Sequence, residues 1–236
     1  MKKICQMLLL MSFCVLFTGC GKAEASQKET ETTAQVTTQN AETVDTEHRS
    51  RILIAYFTRA DNIQIDPNVD AVSSASINTS GSSYEGNLAI MADYVKEAVG
   101  GDTFSIRTVE TYPTGYRDTT GAAKEEQTSN ARPELSSHVE NMEDYDMIFL
   151  GYPIWWGGLP MPVYTFLEEY DFSGKIIIPF SSHEGSGLGK GPSEIAEICP
   201  NAQVLDGFAA RGSEVRSSKD DIKKWIDGLK LEEMQK

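Results

Sequence analysis

Histidine and cysteine are scarce in this chain, and their scarcity limits the chemistry available to it. The 236 residues include 3 His and 4 Cys. All the cysteines except Cys199 lie within the first 20 residues. A single remaining thiol excludes a disulfide framework or a Cys-based metal site in the rest of the chain. The three histidines are scattered along the sequence, and we predict no metal site from them.

Basic residues are also in short supply. Asp and Glu outnumber Lys and Arg by 35 to 21, which gives a formal net charge of −14 at pH 7. Nucleic acid and anionic lipid surfaces repel a protein of this charge. We therefore expect neither of them to be a partner.

Long apolar runs are absent except at the start, where two lysines precede the apolar residues 7–17. The run is too short to span a membrane comfortably and has the layout of a signal peptide, which we assign to residues 1–20. Its end, Gly19-Cys20, resembles the lipobox of bacterial lipoproteins, with Phe17 where Leu is usual. The resemblance implies that Cys20 is lipidated and anchors the protein to the extracytoplasmic face of the cell membrane. A plain signal peptide that happens to contain Cys is the alternative.

Residues 21–50 contain neither aromatic residues nor proline and consist mostly of Thr, Glu, Gln, Ser and Ala. Such a segment buries too little apolar surface to order itself, so we predict a disordered tether. A coil of about 30 residues has a mean reach of roughly 30 Å. The remaining residues, 51–236, have the length of one domain.

Strand-like and helix-like patterns alternate along this domain. The strand patterns lie at 51–57, 103–109, 147–152, 175–181 and 203–208. The helix patterns lie at 86–99, 116–131, 160–170, 192–198 and 218–234. Nearly continuous apolar strands indicate burial on both faces of a sheet. We therefore predict a doubly wound α/β fold with a five-stranded parallel sheet of order 2-1-3-4-5 and helices on both faces. Residues 61–85 fit neither period and are predicted to be an insertion.

Three loops that follow apolar strands, at 56–62, 151–158 and 179–189, carry most of the residues with chemical potential. They offer hydroxyls, a guanidinium, flexible backbone amides and two adjacent indoles. Loops at the carboxyl ends of parallel strands converge on one crevice. A flat aromatic ligand with a phosphate suits this set, and FMN fits it best. The candidate cofactor-binding residues are Thr58, Arg59, Ala60, Asn87, Pro153, Ile154, Trp155, Trp156, Gly157, Ser181, Ser182, His183 and Gly185.

Five short motifs, in this order and spacing, resemble those of bacterial flavodoxin-like proteins over residues 51–211. The motifs are Tyr56-Phe57-Thr58-Arg59, Glu85-Gly86-Asn87, Thr111-Tyr112-Pro113, Gly151-Tyr152-Pro153-Ile154-Trp155-Trp156-Gly157 and Ser182-His183-Glu184-Gly185-Ser186-Gly187-Leu188-Gly189. The resemblance implies a flavodoxin-like fold in which the first loop holds the FMN phosphate and the next two loops hold the isoalloxazine ring. The chain departs from the family at Asp61, where Gly is common, and at the insertion. Because a carboxylate facing a phosphate is unfavourable, we expect Asp61 to turn outward or to cap a turn.

The first loop has the donors that a phosphate needs. Thr58 supplies a hydroxyl, Arg59 a fixed cation, and Asn87 lies near the amide groups at the start of the predicted helix. The alternative is that Thr58 and Arg59 are merely exposed at the end of a strand.

The second and third loops are expected to contact the flavin ring. Trp155 and Trp156 would form an aromatic wall, although one of the two indoles is expected to pack into the core. Gly157 would let backbone amides approach the ring near N5. His183 is the candidate catalytic residue, either as a donor to N1 and O2 of the reduced ring or as a proton donor to a substrate. The alternative is that His183 is an ordinary polar loop residue.

Three functions of different classes remain open, since a fold alone decides none of them. The first is an FMN-binding redox protein that exchanges electrons with partner proteins at the membrane surface. The second is an NAD(P)H-dependent reductase of quinones or other aromatic acceptors, with residues 61–85 as a roof and with Tyr112 and Tyr116 as pocket walls. The third is a flavin-free surface binding module. The sequence gives no indication of the oligomeric state.

Overall fold

The computed structural model describes residues 51–64, 76–80 and 83–234. The predicted signal peptide, tether and lipidation site lie outside the described residues. Within the described part of the chain, no helix has both the length and the apolar character needed to cross a membrane.

The elements follow one another in the alternating order that the sequence predicts. The strands are β1 (Arg51–Phe57), β2 (Ile77–Ser80), β3 (Ser83–Gly86), β4 (Asp102–Ile106), β5 (Tyr145–Pro153), β6 (Ile176–His183), β7 (Gln203–Val204) and β8 (Phe208–Arg211). The α-helices are α1 (Asn87–Val99), α2 (Tyr116–Ser129), α3 (Met161–Glu169), α4 (Gly191–Ile198) and α5 (Lys219–Leu229). Short 3-10 turns occupy Arg59–Asn62, Met142–Asp144, Gly212–Ser217 and Leu231–Met234.

The main sheet is parallel, in the order β4-β1-β5-β6, with both β7 and β8 paired to β6. The predicted order 2-1-3-4-5 is confirmed, but its fifth strand is split in two. Proline explains the split. Leu205 donates its amide to the carbonyl of Ile177, and the next ladder donor on that side of β6 would be residue 179. Pro179 has no N–H, so the ladder is interrupted where the chain leaves β7.

Both faces of the sheet are covered, as the continuous apolar strands predicted. In β1, Leu53 and Phe57 belong to one buried cluster, which includes Phe166 of α3. Ile52 and Ile54 belong to the other, which includes residues of α1 and α5. The side chains of β1 therefore point alternately into two buried clusters. Polar residues occur only at the ends of this strand and beyond them.

Three predicted elements end two or more residues earlier than expected. The strand predicted at 103–109 stops at Ile106 because the Asn62 side chain takes over the next backbone groups, donating to the Ile106 carbonyl at 3.1 Å and accepting from the Thr108 amide at 2.8 Å. The second helix ends at Ser129, where Asn130 is left-handed with φ 53°. The last helix ends at Leu229, where Lys230 has the same φ of 53°.

The predicted insertion at 61–85 contains a structured hairpin. Strands β2 and β3 pair antiparallel, with Ile77 opposite Gly86, and the Ile77 side chain is buried. The amide of Asn87, the first residue of α1, donates to the Ser76 carbonyl at 3.0 Å. The hairpin therefore leads directly into the start of α1, at the carboxyl edge of the sheet.

Candidate functional site

The three predicted loops leave the sheet from one edge. Pro153 at the end of β5 is paired with Ser182 of β6. His183, the last residue of β6, is paired with Arg211 at the end of β8. Because all these strands are parallel to β1, the loops after Phe57, Pro153 and His183 emerge on the same side, as expected for loops that share a crevice.

Thr58 is fully buried at the start of the first loop, with 0% exposure. Its hydroxyl is the one buried side-chain polar atom among the described residues that has no hydrogen-bond partner. A Cβ placed on Gly86 would lie 2.0 Å from that oxygen, so the hydroxyl faces the backbone that begins α1. A buried hydroxyl without a partner costs free energy that an incoming acceptor would recover. With the amide groups at a helix N-terminus beside it, this position fits an anion such as phosphate.

The remaining first-loop candidates lie near Thr58. Asn87, the first residue of α1, is fully buried, whereas Ala60 is half-buried in the 3-10 turn Arg59–Asn62. The side chain of Asn62 donates to the Thr58 carbonyl at 2.8 Å. Asn62 therefore fixes the backbone at the point where the loop leaves β1.

Arg59 is 2% exposed, which excludes the alternative of an exposed cation at the end of a strand. Its Nε donates to Oγ1 of Thr119 at 3.2 Å, and its Nη2 donates to the Thr114 carbonyl at 2.5 Å. The guanidinium thus reaches the start of α2, whereas the Thr58 hydroxyl faces α1. The two neighbours were predicted to bind one phosphate together, and this stays a prediction.

Asp61 turns away from the loop, as predicted. Its Oδ2 accepts a hydrogen bond from the Ser105 hydroxyl at 2.6 Å and lies 3.5 Å from the Arg107 guanidinium. The carboxylate therefore belongs to the β4 side of the sheet.

Trp155 is the indole that packs against the core. Its ring makes edge-to-face contacts with Phe57, at a centroid distance of 5.3 Å, and with Tyr112, at 5.1 Å. The Tyr112 hydroxyl donates to Glu126 at 2.8 Å. Burial raises the pKa of Glu126, and the hydrogen bond from Tyr112 opposes that rise. Trp155 is thus held by two aromatic neighbours, one of which is itself hydrogen-bonded to α2.

Trp156 lies at the tip of a tight turn. The backbones of Trp155 and Gly158 exchange two hydrogen bonds of 3.1 Å, and Trp156 and Gly157 have φ values of 50° and 88°. This is the type I′ geometry, which favours Asn-Gly and disfavours a large residue at the first position. The half-exposed indole donates to the Thr120 carbonyl at 3.0 Å and lies beneath the ammonium group of Lys124.

A cavity of about 280 Å³ lies between the second loop and α2. Its walls include four predicted candidates, Arg59, Ile154, Trp155 and Trp156, together with Ser76, Tyr116, Thr119, Thr120 and Ala123. Tyr116 was predicted to line a pocket and does so. Tyr112, predicted to do the same, lies behind Trp155 and is not among the residues that line this cavity.

Ser76, Thr119 and Thr120 were not among the sequence candidates. The pair Thr119-Thr120 in the first turn of a helix was a signal that could have drawn attention to α2, but nothing in the sequence placed that turn opposite Arg59.

In the third loop, the hydrogen bonds of Ser181 and His183 stay within the loop. The Ser181 hydroxyl donates to the Gly187 carbonyl at 2.9 Å, and Nδ1 of His183 accepts from the Gly185 amide at 2.8 Å. Partial burial lowers the pKa of His183, and the nearby Arg211 guanidinium lowers it further. The lowered pKa favours the neutral imidazole, and because Nδ1 accepts a hydrogen bond from the Gly185 amide the ring proton of that form is on Nε2, which leaves one N–H donor. Ser182 is fully buried, and Gly185 is exposed.

The donors and acceptors of this edge suit an organic anion better than a metal. Across residues 51–64, 76–80 and 83–234, no group of three or more His, Cys, Asp or Glu side chains could hold a metal ion. The edge presents a buried free hydroxyl, a helix N-terminus, a paired indole and a neutral imidazole. These groups match a phosphate joined to a flat ring.

A family model and the similar solved structures agree on one family. The family model described as flavodoxin matches residues 76–229. A protein of Bacteroides uniformis assigned as a flavoprotein shares 26% identity, with a TM-score of 0.57 over 75% of this chain and 98% of that one. A second such protein, from Bacteroides eggerthii, shares 25% identity, with a TM-score of 0.53 over 74% of this chain and 98% of that one. The flavoprotein of Lactobacillus acidophilus in complex with FMN is 19% identical, with a TM-score of 0.50 over 72% of this chain and 98% of that one. Among curated proteins no match was found.

Proposed function

Because the chain belongs to the flavodoxin family, we propose that it binds FMN at the carboxyl edge of its sheet and acts as a redox protein that passes electrons to and from partners. The observation that carries the proposal is the buried, unpartnered hydroxyl of Thr58 below the start of α1. A protein that had lost its cofactor would have no reason to retain this cost. The flavin-free binding module is therefore the weakest of the three functions.

At the phosphate end, this chain contributes a hydroxyl and backbone amides. Thr58 would donate a hydrogen bond from its hydroxyl to a phosphate oxygen, and the amide groups that follow Asn87 in the first turn of α1 would lie beside it, since the Asn87 amide is bonded to the Ser76 carbonyl. Asn62 keeps the loop backbone in place through its bond to the Thr58 carbonyl. Arg59 adds positive charge from the side of α2, where its Nε and Nη2 are anchored.

At the ring end, this chain contributes an aromatic wall and one N–H donor. Trp155 and Trp156 would hold the isoalloxazine against an aromatic wall, and Gly157 would let the backbone approach it. Bound FMN supplies the capacity to take up and release one or two electrons. The Nε2–H group of His183 would be a hydrogen-bond donor for negative charge on the reduced ring.

The cavity next to α2 favours the NAD(P)H-dependent reductase as the second candidate function. A space of about 280 Å³, walled by Trp156, Tyr116, Thr119 and Thr120 among others, has the size of a small aromatic molecule and lies beside the indole pair. A quinone or another aromatic acceptor would fit the chemistry of these walls. In that case the protein is an enzyme rather than a carrier.

For location, we propose a lipid anchor at Cys20 on the extracytoplasmic face of a bacterial membrane, with residues 21–50 as the spacer. The lipobox-like Gly19-Cys20 junction after the apolar run supports this proposal. Replacing Cys20 with Ala is expected to leave the protein unanchored or unprocessed in cell fractionation. A variant that is as membrane-bound and as processed as the parent would contradict it.

The central test is titration of the apoprotein with FMN and with riboflavin. We expect a yellow complex with FMN and a much weaker one with riboflavin, since the phosphate end would be empty. Stopped-flow mixing of the holoprotein with NADH or NADPH then separates the two redox functions. Rapid bleaching of the flavin indicates a reductase, whereas slow bleaching indicates a carrier. A parent protein that does not bind FMN would overturn the proposed function.

A further inference from the structure

The turn that carries Trp156 rests on a carboxylate from α4. Oε2 of Glu194 accepts a hydrogen bond from the Leu159 amide at 2.8 Å. A Cβ placed on Gly158 would lie 2.5 Å from each of the two carboxylate oxygens. Glu194 is thus packed directly against the base of the turn, and any residue larger than glycine at position 158 would displace it.

The same side chain closes a ring of hydrogen bonds between the second and third loops. The Lys190 amide donates to the Gly157 carbonyl at 2.9 Å, and the Glu194 amide donates to the Lys190 carbonyl at 3.0 Å. The carboxylate then returns to the second loop at Leu159. Two loops that start from different strands are joined in this way to the first turn of α4.

Two tyrosine hydroxyls lie near the carboxylate. Burial and then the negative charge of Glu194 raise the pKa of Tyr164 to about 12. The same two causes, in the same order, raise the pKa of Tyr152. The Tyr152 hydroxyl donates to the Leu188 carbonyl at 3.2 Å, so the tyrosine also touches the third loop. Glu194 and Tyr152 therefore form neighbouring polar contacts, one with the second loop and one with the third.

The turn needs support from outside. Trp156 has a φ of 50°, a conformation that a side chain with a Cβ disfavours. Such a conformation persists only where the surroundings determine it. We propose that Glu194 is a positioning residue that fixes the Trp155–Gly158 turn relative to the third loop and thereby orients the indole offered to the flavin. The proposal rests on the proposed function for its effect on FMN but not for its effect on the turn.

The first test measures FMN affinity in variants of full-length protein. Glu194→Ala is expected to weaken FMN binding about tenfold, the loss typical of one hydrogen bond to a charged group. Glu194→Gln is expected to stay within about threefold of the parent because its amide oxygen accepts the same N–H. Glu197→Ala, an exposed carboxylate on the same helix, is the matched control and is expected to change affinity less than about twofold. Equal losses in the Ala and Gln variants would contradict the proposal.

The second test asks whether Glu194 acts through Trp156. In a Trp156→Ala background, Glu194→Ala is expected to lose less than about threefold, since residues that act as one unit are not additive. A full tenfold loss in that background would overturn the proposal. Hydrogen exchange at the Leu159 amide is measured in the apoprotein and is expected to accelerate in Glu194→Ala and not in Glu197→Ala. If the parent itself fails to bind FMN, the proposed function falls and the exchange rate alone decides the role of Glu194, with unchanged exchange overturning it.

Discussion

The phosphate end and the ring end of the candidate site are built in different ways. Thr58, Arg59, Asn62 and Asn87 are all nearly or fully buried, and the side chains of Arg59 and Asn62 bond to distant parts of the chain. The ring end is half-exposed at Trp156 and rests on hydrogen bonds between two loops. Substitutions that remove hydrogen bonds at the phosphate end should therefore change the stability of the fold as core substitutions do. The ring end lies at the surface and depends on a few contacts. Changes at the two ends should therefore separate effects on stability from effects on the cofactor ring.

The largest effect is expected at Asn62, where the phosphate end and the core coincide. Its side chain donates to the carbonyls of Thr58 and Ile106 and accepts from the Thr108 amide. Asn62→Ala leaves these buried backbone groups without partners and should cost about 2–4 kcal/mol in the free energy of unfolding. Urea denaturation measures it. The exposed Asn201 is the control, and Asn201→Ala should change the free energy by less than about 0.5 kcal/mol.

The two indoles at the ring end should differ in how much they stabilise the fold. Trp155→Ala removes edge-to-face contacts with Phe57 and Tyr112 and should destabilise the fold by about 2–4 kcal/mol, as truncation of a largely buried aromatic does. Trp156→Ala removes a half-exposed ring and should cost less than about 1 kcal/mol in stability. Thermal and urea unfolding of the two variants check this order. Equal stability losses would show that Trp156 is also a core residue.

Trp155 should also affect the redox potential of the flavin. An aromatic wall stacks better on the oxidised ring than on the electron-rich reduced ring, so loss of Trp155 should weaken binding of oxidised FMN more. By linkage, the potential should then rise. Potentiometry of the folded variants tests this. A potential that falls would mean that the indole wall does not face the ring.

At the phosphate end, Thr58→Val should separate binding from stability. The variant lacks the hydroxyl and should bind FMN about 1.5–3 kcal/mol more weakly, with little change for riboflavin. Because that hydroxyl has no partner, the apoprotein should be as stable as the parent or slightly more stable. A drop in stability would mean that Thr58 makes a bond inside the protein.

Arg59→Ala should differ from Thr58→Val in its effect on the stability of the fold. It is expected to weaken FMN binding by a similar 1.5–3 kcal/mol, but it also removes the bonds to Thr114 and Thr119. This variant should therefore lose stability, unlike Thr58→Val. Equal losses of FMN and riboflavin affinity would show that Arg59 supports the ring end of the site and not the phosphate end.

The sequence predicted the sheet order and the common edge because both follow from local patterns. Continuous apolar runs indicate two-sided burial, and parallel strands bring their following loops together. It did not predict where Arg59 points, since the direction of a long side chain depends on Thr114 and Thr119, which are more than fifty residues away. It also missed the split of the fifth strand, which depends on Pro179 in a neighbouring strand. What the sequence could not supply is thus the pairing of distant residues.

The smallest effect is expected at His183, and its sign follows from the pKa shift. Burial and Arg211 lower the pKa of His183 below its usual 6.5 in the folded protein. The folded state therefore resists protonation, so the stability contributed by this group is complete above about pH 6.5 and is lost as the pH falls through the lowered pKa. His183→Gln should remove that part of the pH dependence without changing stability at pH 7.5. Urea denaturation of both proteins at pH 7.5 and 5.5, together with an NMR titration of the imidazole in the parent, measures the effect. A His183 that titrates at or above 6.5 would contradict the lowered pKa.

His183→Gln should also change the flavin potential of the holoprotein. If His183 donates a hydrogen bond from Nε2 to the reduced ring, this variant should have a lower potential, opposite to the rise expected for Trp155→Ala. Potentials that move in the same direction in both variants would show that the third loop does not face the ring as proposed.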